Sequence, residues 1–421
     1  MPIPRPRSAF RTSLLCCAAF ALAGCDALAS LFAPGETDEP EWQSRGSVRT
    51  RWLVPIPGAL PGQLQPGPLA IAEGVMVPTG DGRLLALDPA TGRQRWITRV
   101  AASAIQGARL EYRDGLVVAA LYDGAAAVGA ADGQVRWTYR APEDVRVSAL
   151  NGSPGDRGYP ASAYVGVDAG AAYLPVWGGT VSAIDLASGG ERWVWHEGIL
   201  FPNPAGATAA AVSGDTVYVH AWYRRDRWLV PTDLYLFAVD RATGRTVWSR
   251  KLPGEGMGPA PFAPVLPWQD LLIVPQLESV LAFRRATGEP AWSSARGTSV
   301  RFAALAAGTV FVHEVGGAAA EGMVTALDAR TGAVRWSRGI YFHSRNELAV
   351  SERRVYATDD VFVNVVDAAS GRLLARVRPP RDGPEWSVAS AASVRDGAVY
   401  VRLSRGGPGR YEDAVWSFAE P

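Results

Sequence analysis

The chain has 421 residues, of which 48% are hydrophobic and 20% charged, and its 42 basic residues nearly balance 41 acidic ones. This composition excludes a disordered, highly charged tail protein, and the near-neutral charge does not favour electrostatic binding of nucleic acid. Gly (45) and Pro (31) are frequent enough to indicate many tight turns, and the 15 Trp residues outnumber both Tyr (13) and Phe (12). The Trp residues therefore call for a structural explanation.

The N-terminal segment has the form of a bacterial lipoprotein signal. Three arginines precede an apolar run of about ten residues, 14–23, which is too short to span a bilayer as a mature helix. The run ends in Leu22-Ala23-Gly24-Cys25, which resembles the lipobox at which a signal peptidase cuts before the Cys. We predict a lipoprotein signal peptide over residues 1–24 and lipid attachment at Cys25. The alternative is an ordinary secretory signal with an incidental Cys.

The predicted mature chain keeps one thiol, because Cys16 and Cys17 lie in the signal segment. This excludes disulfides and cysteine-based catalytic or metal sites. Several acyl chains on one Cys give stable membrane anchoring, where a single chain would be marginal. Residues 25–47 are therefore predicted to be the lipidated Cys and a flexible, acidic tether, which holds a globular body off the membrane.

Residues 48–421 are built from one repeated unit. Residues 86–96 read Ala-Leu-Asp-Pro-Ala-Thr-Gly-Arg-Gln-Arg-Trp, and residues 326–336 repeat the Ala-Leu-Asp, Thr-Gly and Arg-Trp of that segment. A strand runs into an Asp-x-x-Thr-Gly turn, where Asp can bond the backbone and Gly supplies the positive φ, and the Trp begins the next strand. The turn glycines are Gly92, Gly133, Gly189, Gly244, Gly288, Gly332 and Gly371, and Ala375 occupies the Trp position of the last copy.

A second short strand, β-branched or aromatic, recurs in every copy, with no helical periodicity between the copies. The pattern predicts an all-β fold, an eight-bladed β-propeller of four-stranded antiparallel blades. The last copy stops before its Asp turn and Trp, and the matching strand is Val48–Val54. This N-terminal strand is predicted to complete the eighth blade and close the ring, which removes exposed edges. The predicted Trp-docking residues are Trp52, Trp96, Trp137, Trp193, Trp248, Trp292 and Trp336.

The unit resembles the Trp-docking repeat of quinoprotein-like eight-bladed propellers, in which each Trp stacks between adjacent blades. Dehydrogenases of that superfamily hold pyrroloquinoline quinone and Ca²⁺ at the mouth of the ring, often with a vicinal disulfide. The sequence argues against that chemistry, because the mature chain has no disulfide and its candidate acids form no ligand set by spacing. We predict no catalytic, cofactor or metal site and expect a protein that is not an enzyme. The candidate acids are Asp144, Asp156, Asp168, Glu255 and Asp382, and the dispersed histidines include His196, His220 and His313.

Two of the repeats, those ending at Gly189 and Gly244, are longer than the others. The surplus of the first is the Gly/Pro/Ser-rich stretch 151–164. The surplus of the second combines aromatic residues with Arg, the composition enriched at protein-binding hot spots, and is predicted to be a partner-binding loop. The alternative is a hairpin extension whose Trp residues pack on their own blade. The loop residues are Trp222, Tyr223, Arg224, Arg225, Arg227 and Trp228.

A lipid-anchored, non-catalytic eight-bladed propeller resembles the propeller lipoproteins of the outer-membrane β-barrel assembly machinery. That resemblance implies a periplasmic scaffold that binds protein partners and docks on the barrel-insertion protein, at the outer membrane rather than the inner. Asp26 points the other way, because in enteric bacteria Asp after the lipidated Cys favours the inner membrane. The alternatives are a propeller scaffold of another envelope complex and a reduced quinone-dependent dehydrogenase.

Overall fold

The computed structural model describes residues 48–58, 66–102, 105–121, 124–141, 164–176, 179–196, 205–224, 232–253, 264–316, 321–340, 347–380, 385–407 and 410–421. In these ranges the regular structure consists of strands, and no helix has the length and hydropathy needed to cross a membrane. The strands form eight antiparallel sheets, the blades of a propeller, which are named I to VIII in chain order. The predicted all-β, eight-bladed propeller is confirmed.

The first four blades each have four strands that follow one another in sequence order. Blade I has β2 (Leu69–Ile71), β3 (Gly74–Pro78), β4 (Arg83–Leu87) and β5 (Gln94–Arg99). Blade II has β6 (Gln106–Arg113), β7 (Leu116–Leu121), β8 (Gly124–Gly129) and β9 (Val135–Arg140). Blade III has β10 (Gly166–Val167), β11 (Ala171–Val176), β12 (Thr180–Asp185) and β13 (Glu191–His196). Blade IV has β14 (Ala205–Ser213), β15 (Thr216–Arg224), β16 (Thr232–Asp240) and β17 (Thr246–Lys251).

The next three blades repeat this order, and blade VIII departs from it. Blade V has β18 (Leu266–Trp268), β19 (Leu271–Pro275), β20 (Ser279–Arg284) and β21 (Pro290–Ala295). Blade VI has β22 (Ser299–Ala306), β23 (Thr309–Gly316), β24 (Glu321–Asp328) and β25 (Val334–Ile340). Blade VII has β26 (Ala349–Val350), β27 (Arg354–Thr358), β28 (Val363–Asp367) and β29 (Leu373–Val377). Blade VIII has β30 (Ser387–Val388), β31 (Ser393–Arg395), β32 (Ala398–Gly407), β33 (Arg410–Ala419) and, from the other end of the chain, β1 (Thr50–Ile56).

Blade VIII is closed by the N-terminal strand, as predicted. β1 pairs antiparallel with β33, with Trp52 opposite Ser417 and Leu53 opposite Trp416. The strand runs from Thr50 to Ile56, two residues later at each end than predicted, because its pairing with β33 sets its limits. The first-strand position of this blade is divided between β30 and β31, which both pair with β32, so the sheet has five strands rather than four.

The strand order gives the ring two different faces. The turns between first and second strands, and the Asp turns between third and fourth strands, lie on one face, which we name the turn face. The connections between second and third strands, and the links from one blade to the next, lie on the other, the loop face. Both long insertions leave the ring from the loop face, because β9 and β15 end there.

The core consists of eight apolar clusters, one between each pair of neighbouring blades. The cluster that joins blades VIII and I contains Trp52, Val75, Leu85, Tyr400 and Val415. Because each blade is covered on both faces, its middle strands read as continuous apolar runs rather than alternating ones. In β3, for example, all five residues are buried.

Candidate functional sites

A Trp in the fourth strand ties each of seven blade junctions. The Nε1 of each Trp donates a hydrogen bond of 2.8–3.2 Å to a backbone carbonyl in the turn between the third and fourth strands of the next blade. The ring also lies against the turn glycine. A Cβ built on Gly332, which has a φ of +72°, would lie 2.4 Å from Cε3 of Trp292. The seven residues are Trp52, Trp96, Trp137, Trp193, Trp248, Trp292 and Trp336.

The junction between blades VII and VIII has Ala375 at the Trp position, and the topology explains this difference. The third strand of blade VIII ends at Ala419 and the fourth begins at Thr50, so the turn on which a Trp would pack is interrupted. Glu420 provides another tie, since it accepts a hydrogen bond from the Tyr356 hydroxyl and pairs with Arg354 at 2.8 Å. Nothing in the repeat pattern indicates this contact.

The turn aspartates stabilise the turns themselves. Asp88 Oδ1 accepts hydrogen bonds from the backbone N–H of Ala90 and from both the N–H and the hydroxyl of Thr91, at 2.9–3.1 Å. Its Oδ2 lies 2.6 Å from the Arg95 guanidinium. Arg95 first, and then Thr91, lower the pKa of Asp88 to about 2. Asp328 makes the same contacts, which indicates a structural role common to several blades.

One of the five candidate acids, Asp168, lies in the described residues, and its contacts are also those of a turn. Its Oδ1 accepts hydrogen bonds from the backbone N–H groups of Gly170 and Ala171, and its Oδ2 lies 2.8 Å from Arg241 of the next blade. Burial opposes its charge, but these hydrogen bonds outweigh burial and lower the pKa of Asp168. Asp144, Asp156, Glu255 and Asp382 lie outside the described residues, as does Cys25.

His220 and His313 occupy equivalent positions, in the second strands of blades IV and VI. Both are buried; His220 Nε2 lies 3.3 Å from Nε2 of Gln276 in blade V, and His313 stacks on Phe302 with ring centroids 6.1 Å apart. Burial lowers the pKa of His220 to about 4, so its ring is neutral at pH 7. His196 is exposed at the end of β13. Across the described ranges, no three His, Cys, Asp or Glu side chains are grouped to hold a metal ion.

A polar cluster that sequence reasoning missed crosses the axis of the ring. Arg109 and Glu111 belong to β6, and the Arg109 Nε lies 2.5 Å from Glu111 Oε1. The guanidinium carbon also lies 5.4 Å from the centroid of the Tyr164 ring, just before β10. The Tyr164 hydroxyl donates to the carboxylate of Glu347, which precedes β26. Because blades III and VII are four apart in a ring of eight, this hydrogen bond spans the axis.

In this axial cluster the positive charge of Arg109 and the carboxylates of Glu111 and Glu347 stabilise one another. Burial opposes the charge of Arg109, yet Glu111 and Glu347 outweigh burial and raise the pKa of Arg109. Burial raises the pKa of Glu347, while Arg109 and Tyr164 act in the opposite direction. The Arg109 side chain remains 51% exposed although it lies within the ring, so water reaches the cluster.

The axial residues do not fit a quinone held by Ca²⁺. Ca²⁺ takes six to eight oxygen ligands, several of them usually carboxylates. In the described part of the axis the available carboxylates are Glu111 and Glu347, and Arg109 lies beside both. The guanidinium supplies the positive charge that a bound cation would otherwise bring.

The predicted partner-binding loop begins at the end of β15, which lies on the loop face. Trp222, Tyr223 and Arg224 are the last residues of β15, with Trp222 opposite Leu234 and Arg224 opposite Thr232 of β16. The structure describes their backbone, whereas Arg225, Arg227 and Trp228 lie outside the described residues. Residues 222–224 therefore continue β15 in a hairpin with β16, which agrees with the alternative of a hairpin extension for this part of the insertion. The partner-binding role of the segment stays a prediction.

Comparison with protein families gives one match. The family model of the outer membrane protein assembly factor BamB matches three overlapping stretches, residues 32–194, 108–257 and 177–394. No curated protein sequence matches the chain.

Solved structures with the same fold include proteins of quite different kinds. BamB from Moraxella catarrhalis is 16% identical, with a TM-score of 0.60 over 88% of this chain and 100% of that one. The computationally designed Ika8 protein is 16% identical, with a TM-score of 0.61 over 85% and 98%. Quinohemoprotein alcohol dehydrogenase from Comamonas testosteroni is 14% identical, with a TM-score of 0.65 over 88% and 76%. These likenesses show the fold alone. The family model covers well over half of the sequence, and the chain therefore belongs to the family of the outer membrane protein assembly factor BamB.

Proposed function

We propose that the protein is a lipid-anchored periplasmic scaffold, without catalytic activity of its own, that binds protein partners during outer-membrane protein assembly. The observation that carries this proposal is the combination of family membership with the axial cluster of Arg109, Glu111, Tyr164 and Glu347. In that cluster, protein side chains compensate one another's charges at the place where an enzyme of this fold would need ligands for a cofactor.

The loop face is the proposed docking surface. Both long insertions leave the ring there, and the hairpin of blade IV brings Trp222 and Tyr223 to that face. Aromatic residues and Arg are enriched at the centres of protein interfaces because they bury a large area and also make directed polar contacts. The axis and the Trp junctions give these loops a rigid base.

The membrane anchor is proposed to be Cys25, with residues 26–47 as the tether, at the outer membrane and facing the periplasm. Labelling with a radioactive fatty acid tests this assignment, since Cys25→Ser should abolish incorporation while Cys16→Ser and Cys17→Ser should not. Separation of inner and outer membranes then tests the location. Recovery with the inner membrane would favour the effect of Asp26 over the family resemblance.

Crosslinking in the native envelope, followed by mass spectrometry, tests the scaffold function. We expect the wild-type chain to crosslink to a component of the β-barrel assembly machinery, and the double variant Trp222→Ala and Trp228→Ala to crosslink less. Val135→Ala, at an exposed position of β9 away from the loop face, is the matched control. Crosslinks confined to another envelope complex would assign the scaffold function to that complex instead.

A second candidate function is that of a reduced quinone-dependent dehydrogenase. It is favoured by one observation, the similarity in fold to quinohemoprotein alcohol dehydrogenase, with a TM-score of 0.65. Incubation of the full chain with pyrroloquinoline quinone and Ca²⁺ distinguishes the two functions. We expect no quinone absorbance after gel filtration and no dye reduction with alcohols, whereas stoichiometric binding would refute the scaffold proposal.

A further inference from the structure

An arginine just before the docking Trp has a recurring partner in the repeat. In blades I, III and VI this Arg bulges from the fourth strand, because the residues on its two sides pair with successive residues of the third strand. Each of these arginines forms an ion pair of 2.6–2.7 Å with the Asp at the start of the turn. The pairs are Arg95 with Asp88, Arg192 with Asp185 and Arg335 with Asp328. A carboxylate is therefore the ordinary partner of an Arg at this place.

Blade VIII has the bulged Arg but not the Asp. Arg51 bulges from β1 just before Trp52, which pairs with Ser417. Ala419, two residues after Ser417, occupies the place that Asp has in blades I, III and VI. The backbone keeps the geometry of those turns, since the N–H of Ala419 donates a 3.0 Å hydrogen bond to the Arg49 carbonyl, and the equivalent bonds measure 2.7–2.8 Å. The exposed Arg51 guanidinium makes no hydrogen bond or ion pair with any residue that the structure describes.

The hydroxyl of Tyr400 also differs from its equivalents in other blades. Tyr400 is the third residue of the second strand of blade VIII and is buried. At this place in blades III and VII, a Tyr hydroxyl donates to a carboxylate, that of Asp168 or that of Glu420. The Tyr400 hydroxyl instead lies 3.4 Å from the Pro89 carbonyl of blade I, which is long for an O–H···O hydrogen bond. Arg51 and Tyr400 thus both lack the carboxylate that their equivalents contact.

Both side chains line one cavity of about 150 Å³, on the turn face at the junction of blades VIII and I. Apolar side chains of blade I, Ile71 and Val75, form part of its wall. Arg395 and Asp396 line it as an ion pair of 3.2 Å, so their charges balance. Burial raises the pKa of Tyr400, and Arg51 acts in the opposite direction, which shows that the guanidinium charge acts on the hydroxyl. The cavity therefore has one positive charge that no carboxylate balances within the described residues.

We propose that this cavity binds a carboxylate carried on a short apolar chain, with the carboxylate held by the Arg51 guanidinium and the Tyr400 hydroxyl. Hydrogen bonds between a guanidinium and a carboxylate are charge-assisted, and they are stronger than bonds between neutral groups. Ile71 and Val75 contact the apolar chain of the ligand. The site lies on the face of the ring opposite the proposed docking surface, so it goes beyond the scaffold function and does not depend on it.

Fluorine NMR tests the site with trifluorobutyrate, a butyrate with a trifluoromethyl terminus, which is ionised at neutral pH. The purified full chain is added, and binding is measured from the broadening of the fluorine signal. We expect a dissociation constant on the order of 1 mM, since the ligand has few atoms. Trifluorobutyramide has nearly the same shape but no charge, and we expect it to give no measurable broadening. Equal binding of the acid and the amide would overturn the proposal.

Two substitutions locate the binding at Arg51. Ala419→Asp leaves Arg51 in place and gives it the carboxylate partner that it has in the other blades, and Arg51→Gln removes the charge. Each should weaken the binding of trifluorobutyrate at least about fivefold. Arg49→Gln is the matched control, since Arg49 is also exposed but does not line the cavity, and it should bind as the wild type does. Equal binding by the wild type and all three variants would overturn the proposal.

A competition experiment identifies the source of the carboxylate. The α-amide of N-acetylglutamate presents the carboxylate as a protein side chain does. Displacement of trifluorobutyrate by this compound would support the proposal and assign an acidic side chain of another protein to the site. Binding of trifluorobutyrate without such displacement would also support the carboxylate site, and would assign a free carboxylic acid to it.

Discussion

The closing strand gives the sharpest test of how the ring is held together. Trp52 is 8% exposed, its Nε1 donates a 3.0 Å hydrogen bond to the Pro89 carbonyl, and its ring centroid lies 5.7 Å from that of Tyr400. Trp52→Ala removes all of these contacts. Loss of a buried Trp side chain typically costs about 3–5 kcal/mol in the free energy of unfolding. With an unfolding entropy of about 2 cal/mol/K per residue, the cost lowers the melting temperature of a domain spanning residues 48–421 by about 5 °C.

The informative comparison is with Trp96→Ala, which removes the equivalent hydrogen bond, at 3.0 Å to the Ala130 carbonyl, from the junction of blades I and II. Strand β5 follows its sheet partner β4 directly in the chain, so a short turn holds the two strands together. The strand that carries Trp52 pairs only with β33 and can separate without unfolding the rest of the ring. We therefore expect Trp52→Ala, but not Trp96→Ala, to reduce amide hydrogen-exchange protection in β33.

Hydrogen exchange read by mass spectrometry, together with thermal unfolding, measures both effects. The reasoning is refuted if Trp52→Ala lowers the melting temperature while the protection of β33 stays at the wild-type level. It is also refuted if Trp52→Ala and Trp96→Ala lower the hydrogen-exchange protection of β33 equally. The loss of protection would then not be specific to the junction that closes the ring.

Three further predictions concern the junctions and the buried histidine. Gly332→Ala should lower the free energy of unfolding in urea by about 2 kcal/mol more than Gly397→Ala does. Both glycines have a φ near +70°, but only at Gly332 would the new methyl group meet a Trp ring. Equal losses would show that backbone strain alone matters. Ala375→Trp should not raise the melting temperature, because the turn that would receive the ring is interrupted; a clear rise would contradict that explanation. The pKa of His220 is lowered to about 4, so stability should fall as the pH drops from about 6.5 to 4, since the unfolded state takes up the proton first. In a plot of melting temperature against pH, His220→Gln should reduce this slope, and the control His196→Gln should not. An unchanged slope in His220→Gln would show that other groups cause the loss of stability in acid.

The contacts of the repeat unit were predictable because they are local. In Asp88-Pro-Ala-Thr-Gly92, every hydrogen bond of Asp88 joins residues at most seven apart, and the positive φ of Gly92 belongs to a single residue. The Trp follows four residues after the glycine, so its placement in the outer strand also follows from the sequence. Repetition of the unit then fixed the number of blades.

The axial cluster could not be predicted in the same way. Arg109, Tyr164 and Glu347 occupy equivalent positions in three different repeats, each seven residues before the start of the second strand, but they are three different residue types, so no recurring residue in the pattern marks this position. They meet because the first strands of all blades surround one axis, a property of the closed ring rather than of any unit. The tie from Glu420 to Arg354 depends in the same way on ring closure.

The sequence by itself determined the repeat, the turn chemistry and the Trp positions, because each depends on contacts within one unit. It also determined the closing strand, because the last unit lacks its fourth strand and the N-terminus supplies one. Only the tertiary structure decided which side chains face one another across the ring. It brought charged and polar groups of blades II, III and VII together at the axis. Those relations depend on the angle between blades that are far apart in the chain, and local sequence does not encode that angle for any single residue.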